Sequence, residues 1–140
     1  LSSAGKWYFE THTAGIWRKS QMWATVNGVS YPYIASEDVE PAINSLVQWQ
    51  SIDDKISALA KTIFTYFVFC EIHPFSDGNG TVALLLVDTQ LRQLRIPVNW
   101  IAIFNSWTPE VQLLIFKSIR TGDYKSALQL IQKSSAAPLN

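Results

Sequence analysis

The strongest constraint on this chain is a pair of helix-length segments that are apolar on more than one face, joined by a short segment holding one proline and two glycines. In the first, from about Asp53 to Ile72, Ile56, Leu59, Ala60, Ile63, Phe67 and Cys70 mark one stripe at helical spacing. Phe64, Val68 and Phe69 fill the other faces. A helix with that pattern must be enclosed by neighbours. The second runs from about Gly78 to Leu94 and is apolar all round between Val82 and Val87, so it too is expected to be central. Neither run approaches the ~20 apolar residues that a membrane span needs.

The rest of the chain supplies the partners for those two helices. Val39, Ile43, Leu46 and Val47 recur at helical spacing, with Ser36 as cap and Pro41 tolerable only near the first turn. Thr108-Pro109-Glu110 is a start signal: a capping hydroxyl, proline at the first helical position and an acid in the first turn. Val111, Leu114, Ile115 and Ile119 follow at the helical period. Gly122 stops that helix, and Asp123 can cap a last one with Tyr124, Ala127, Leu128 and Ile131 on its face. One segment breaks the helical rule. Asn27-Gly28 between short β-prone runs predicts a type I′ turn, hence a hairpin over about residues 23–34. A frayed tail is expected over 134–140. The reading is one mainly α domain over 1–140, a helical bundle carrying a small β-hairpin flap.

Charge narrows the function classes. Eleven Lys and Arg balance eleven Asp and Glu, and charged residues make up 16% of the 140-residue chain, against roughly 25% in an ordinary soluble domain. Neither nucleic acid nor an anionic membrane is expected as a partner, because binding either by bulk electrostatics needs clustered cations. A local phosphate site is still open. Cys70 is the one cysteine, so an internal disulfide framework and metal-binding Cys pairs are out of reach. With no basic leader and cleavage site at its start, the chain is expected in a cytoplasmic compartment, or in a host cytosol if it is a delivered effector. It opens on Leu1 and is expected to be a fragment or trimmed chain. Low charge and an aromatic content of 13% are compatible with a homo-oligomer.

The joining segment, His73-Pro74-Phe75-Ser76-Asp77-Gly78-Asn79-Gly80, is where chemistry concentrates. Pro74 ends the preceding helix, since the residue before proline avoids the helical region. His73 at that rim can exchange protons near neutral pH. Gly78 and Gly80 let backbone approach a ligand, and the next helix aims its first N–H groups outward, an anion site without any cation. Asp77 can hold Mg²⁺, which takes one or two carboxylates plus substrate phosphates. A structural reading accounts for each residue singly: a helix C-terminus at His73, an N-cap at Asp77 and a tight Gly-Asn-Gly connection. Together, on a loop between two core helices, they favour a site.

That string resembles the signature of the Fic/Doc family, H-x-F-x-(D/E)-G-N-G-R-x-x-R in its adenylylating members. Gly15-Ile16-Trp17-Arg18 is similar to the family's upstream G-x-x-R element. The Asn27-Gly28 hairpin falls where the family carries a target-docking flap, and Gly122-Asp123-Tyr124 resembles the start of its last helix. The resemblance implies a Fic-type helical bundle. It implies a transferase that moves AMP from ATP, or another phosphate-containing moiety from a nucleotide donor, onto a Ser, Thr or Tyr hydroxyl of a target protein. His73 would be the general base and Asp77 would carry Mg²⁺. Gly78, Asn79, Gly80 and Thr81 would hold the phosphates, with the Asn79 amide as an added donor. Phe75 would pack and fix the loop. Tyr66, Trp100 and Trp107 are either base-pocket or core residues. A target segment would add as a strand to the hairpin, gripped through Val26, Asn27, Gly28, Val29 and Tyr31.

Two arginines of that pattern are missing, because this chain has Thr81 and Leu84 there. Each lost charge-assisted contact is typically worth ~1.5–3 kcal/mol, so triphosphate affinity should fall. Arg92 lies roughly 18 Å along the helix past Gly80 at about 1.5 Å per residue, and Arg95 farther, so neither reaches the helix start. Arg18 and Lys19 come from a separate segment, and the resemblance gives Arg18 a mainly structural role. Three outcomes stay open: nucleotide transfer, transfer from a different phosphate-containing donor, or a catalytically silent relative acting as a nucleotide- or protein-binding module. The family's inhibitory pattern (S/T)-x-x-x-E-(G/N) fits neither Ser36–Glu40 nor Ser106–Glu110.

Overall fold

The computed structural model describes residues 15–52 and 56–136. An antiparallel hairpin, β1 (Trp23–Val26) and β2 (Val29–Pro32), precedes six helices. They are α1 (Val39–Gln50), α2 (Ala58–Ile72), α3 (Asn79–Gln93), α4 (Trp100–Ser106), α5 (Pro109–Arg120) and α6 (Tyr124–Ala136). The mainly helical class with one small hairpin is the one the sequence predicts. Asn27 and Gly28 take φ of 50° and 77°, the positive values a type I′ turn requires. They set the register, with Val26 opposite Val29 and Trp23 opposite Pro32.

The centre is α2, which packs against α1, α3, α5 and α6. Every residue from Ala60 to Phe67 is buried, so the helix has no solvent face over two turns. Its polar members are satisfied locally. The Thr62 and Thr65 hydroxyls donate to the Ala58 and Lys61 carbonyls at 2.7 and 3.0 Å. Phe67 and Ile63 are fully enclosed, and each such side chain contributes about 1.5–3 kcal/mol by leaving water. The helix starts later than its apolar stripe suggests. Ser57 Oγ accepts from the Ala60 N–H at 3.1 Å and fixes the start, leaving Ile56 ahead of it, while Asp53 falls outside the described residues.

Three further expectations are corrected. Ser36 opens a 3₁₀ turn over Ser36–Asp38 instead of capping α1, which has no side-chain cap. α3 is not enclosed: Asn79, Ala83, Val87 and Leu91 form one buried stripe, and Leu85 is 60% exposed. Among the described helices α2 is its close neighbour, so only one face of its all-round apolar run is covered. The tail is not frayed as far back as residue 134, for α6 continues to Ala136. Trp107 Nε1 donates to the Ser134 carbonyl at 3.1 Å, and the buried Ser135 hydroxyl donates to Ile131 O at 2.6 Å.

Other signals act as read. Thr108 Oγ1 accepts from Val111 N–H at 3.3 Å with Pro109 at the first helical position. Gly122 turns the chain at φ 81°, and Asp123 accepts from Ser126 N–H at 3.2 Å. The sequence reading lacks α4, seven residues capped by Asn99, whose Oδ1 accepts from Ala102 N–H at 3.1 Å. Two turns are too short to show a period. No described helix is long and apolar enough to cross a membrane.

Arg18 ties these parts together. Its guanidinium, 4% exposed, donates to the carbonyls of Ser20 at 2.9 Å, Ile34 at 2.6 Å, Ile72 at 3.2 Å and His73 at 2.5 Å. Its backbone N–H donates to Pro74 O at 2.8 Å. The segment entering the hairpin, the segment leaving it and the end of α2 therefore meet at one side chain. Lysine keeps the charge but lacks the planar fork. Arg18→Lys is expected to lower unfolding free energy by about 2 kcal/mol in urea titrations. An unchanged midpoint and slope would show that the four carbonyls do not depend on the fork.

Candidate active site around the His73–Gly80 loop

His73 is the C-cap of α2, in the left-handed region at φ 51° and ψ 60°. Histidine is among the few non-glycine residues that visit this region, and Pro74 after it forbids another helical turn. The reversal throws the His73 carbonyl back to Arg18. Phe75 packs on Trp17 and Phe69, with ring centroids 5.4 and 6.3 Å away, and so anchors the loop. The Asn79 side chain is a brace: its Oδ1 accepts from Phe75 N–H at 2.8 Å and its Nδ2 donates to Phe75 O at 2.9 Å. The amide expected as an added donor to the anion site thus commits its oxygen and one of its two Nδ2 hydrogens to the loop backbone. Asn79 is buried, turned inward, and engaged at both ends of its amide.

What faces outward is backbone. Gly78 caps α3 at φ 77°, a value that suits glycine, and no side chain caps the helix. The N–H groups of Asn79, Gly80 and Thr81 precede the first helical bond of α3, from Val82 N–H to Gly78 O at 3.0 Å. A Cβ at Gly80 would meet nothing within 4 Å, so the helix start stays open on that side.

These groups line a cavity of about 690 Å³ together with His73, Asp77, the four residues of β1 and part of α5. The His73 ring lies parallel to Tyr33, with centroids 4.0 Å apart and planes 9° from each other. Burial holds its pKa below the ordinary histidine value. The nearby Arg18 charge pushes the same way, while a hydrogen bond with the Cys70 backbone and the Asp77 carboxylate oppose it. The imidazole is therefore neutral at neutral pH, the form that accepts a proton. Asp77 is exposed on the rim. Among the described residues no three His, Cys, Asp or Glu groups gather to hold a metal. The Asp77 carboxylate beside open amides suits a cation that arrives with phosphate oxygens, as Mg²⁺ does.

Of the flap residues expected to grip a target, Val26 lines the cavity and Asn27, Gly28, Val29 and Tyr31 do not. Val29 is 51% exposed on the far strand, and Tyr31 lies under the Arg120 guanidinium at 4.8 Å. Tyr66, Trp100 and Trp107 are core residues, 8%, 3% and 7% exposed, and none reaches the cavity. Cys70 does reach it, but burial raises its thiol pKa to about 11, so it is a poor nucleophile at neutral pH.

Thr81 lines the cavity, whereas Leu84 packs against the core. Lys19, Arg92 and Arg95 are absent from the lining, and Arg18 is consumed by carbonyls. Two residues that sequence reasoning missed do line it: Tyr33 and Arg120. Arg120 closes α5 and pairs with Glu71 through Nη2–Oε1 at 2.8 Å and Nε–Oε2 at 3.3 Å. The two partners are 49 positions apart in sequence, so no local signal announces the pair. A second, more apolar cavity of about 560 Å³ shares Tyr33, Glu71 and Arg120 but holds none of the loop residues His73–Gly80.

The sequence model of the Fic/DOC family matches residues 4–91. Among solved structures, the chain is similar to a Fic domain containing signaling protein from Bacteroides thetaiotaomicron VPI-5482, at 20% identity and a TM-score of 0.59. The alignment covers 91% of this chain and 57% of that one, so the chain spans little more than half of its structural relative. No curated protein matches.

Tyr33→Ala uncovers one face of the imidazole, so the His73 pKa is expected to rise toward the ordinary histidine value. Titration of the His73 ring protons by NMR measures this. A pKa that stays depressed would locate the burial elsewhere.

Proposed function

The chain belongs to the Fic/DOC family, and from that premise we propose that it transfers AMP or another phosphate-containing moiety from a nucleotide donor to a Ser, Thr or Tyr hydroxyl of a target protein. One observation carries the reading. A neutral, half-buried His73 opens into the same cavity as Asp77 and the uncapped amides of α3, beside β1 of the hairpin. In the reaction His73 takes the hydroxyl proton as the oxygen forms its bond to phosphorus. The bond from that phosphorus to the leaving group breaks, and with ATP as donor pyrophosphate departs. The amides of Asn79, Gly80 and Thr81 offer hydrogen bonds to the phosphoryl oxygens as charge develops there. Bound beside Asp77, Mg²⁺ would neutralise part of the phosphate charge.

The hairpin supports a docking role for the target. Val26 and Val29 flank a two-residue turn, where opposed residues exchange both ladder bonds. Thr25 is then the next, non-bonded position, and its N–H and C=O turn to the free edge of β1 for an added strand. The same register ties the Val26 and Val29 amides to each other, so a proline at Thr25 removes an edge donor without breaking the hairpin.

Thr81 and Leu84 at the two arginine positions favour a second reading, a catalytically silent module that keeps nucleotide binding alone. Labelled ATP or other labelled nucleotides, Mg²⁺ and a cell lysate separate the two. Transfer is expected to label discrete proteins and to fall at least about a hundredfold in His73→Ala. Because the neutral imidazole is the working form and its pKa is lowered, the rate should rise with pH and level off below the range of an ordinary histidine. Labelling indifferent to His73→Ala, or nucleotide binding without labelling from any donor, would refute transfer. Thr25→Pro should abolish modification of protein while leaving nucleotide affinity intact, as measured by calorimetry. Equal modification by the proline variant would rule out strand addition at β1.

A further inference from the structure

The cavity around the motif loop is lined by two carboxylates, Glu71 and Asp77, and by one guanidinium, that of Arg120. Among the described lining residues, the Arg120 guanidinium is thus the one cationic group that a phosphate chain could meet. We infer that Arg120 is the donor-phosphate contact of this chain, supplying from the end of α5 the guanidinium absent at Thr81 and Leu84. The inference rests on the phosphate-transfer reading above and names the residue that makes it workable.

Three observations carry it. Glu71 engages the Nε–Nη2 edge of Arg120. Two of the five guanidinium N–H groups are used there, and no described residue takes a hydrogen bond from the others. The Nη1–Nη2 edge keeps the fork geometry that matches two phosphate oxygens. The side chain is also already ordered: the Glu71 carboxylate holds one edge, and the Tyr31 ring lies 4.8 Å from its centre. Little rotamer entropy is left to lose on meeting an anion. Finally, Arg120 is the single Lys or Arg among the described lining residues, so an anion held here meets no other described cationic side chain. Glu71 then has two effects. It positions the guanidinium, and it spends part of the charge that a phosphate would otherwise receive.

A structural ion pair and a phosphate contact predict opposite patterns in two variants that break the same pair. Calorimetric binding of inorganic pyrophosphate with Mg²⁺, a probe shared by all diphosphate-bearing donors, reads the difference. Arg120→Met should weaken binding on the order of tenfold or more. Glu71→Gln should tighten it, because the guanidinium is released and one repelling charge is removed. Thermal unfolding of both variants checks that each is folded. Equal affinity in Arg120→Met and the unsubstituted protein overturns the inference, and so does weakening in both variants, which is the mark of a structural pair. Thr81→Arg separates the two levels of failure. If it binds pyrophosphate where the unsubstituted protein does not, Arg120 is not the contact but the phosphate site stands. If neither binds, phosphate transfer falls as well.

Discussion

Four backbone carbonyls converge on the buried guanidinium of Arg18, and the geometry of everything around the motif loop depends on that convergence. Two of them, Ile72 and His73, belong to the end of α2, where a helix leaves its last carbonyls without partners. A third, Ile34, lies in the segment leaving the hairpin. One side chain thus satisfies the helix end, holds His73 in its left-handed conformation and fixes the hairpin over the loop. Water could satisfy the same carbonyls, but it would not hold three segments in register. The cost is a desolvated cation, and the four carbonyl acceptors offset it.

The acid–base half of the site follows from the same packing. Arg18 keeps His73 at the rim and adds positive charge beside it, while Tyr33, held by its N–H to Met22 O at 3.0 Å, covers the ring. Burial and the Arg18 charge both disfavour the imidazolium. The effect is local and needs no metal, so it belongs to the fold itself. Asn79 contributes in a similar way. By closing on Phe75 from both ends of its amide, it locks the loop in a shape that presents N–H groups.

Legibility in the sequence divides along the range of the interaction. Asn27-Gly28, Thr108-Pro109 and Gly122-Asp123 declare themselves because turns and caps are decided within three or four residues. The eight-residue loop is legible because its members work as neighbours. The inward turn of Asn79 is not, since an amide can brace or donate with the same spelling. The exposure of Leu85 also escaped the pattern, which shows that a helix is apolar but not how many partners cover it. Tyr33 and Arg120 are the costliest misses. Each enters the cavity through contacts made across the fold, Tyr33 on His73 and Arg120 on Glu71. Proximity to the motif in sequence points away from Arg120, the arginine among the described lining residues, because it closes a helix far downstream.

Charge then decides what kind of donor the site can tolerate. The described lining carries Glu71, Asp77 and Arg120 but neither motif arginine, since Thr81 lines the cavity and Leu84 packs against the core. A phosphate charge about 4 Å from a carboxylate is opposed by roughly 1–4 kcal/mol between the limits of water and a protein surface, unless a cation offsets it. A donor in this cavity therefore does better with few phosphate charges, or with a cation bound to them, than as a free triphosphate. The backbone amides of α3 are indifferent to this choice, because they offer dipoles to any phosphoryl group. On the phosphate-transfer reading, the loop and His73 would set the chemistry, while the pairing of Arg120 with Glu71 would set how much anionic charge the donor can carry.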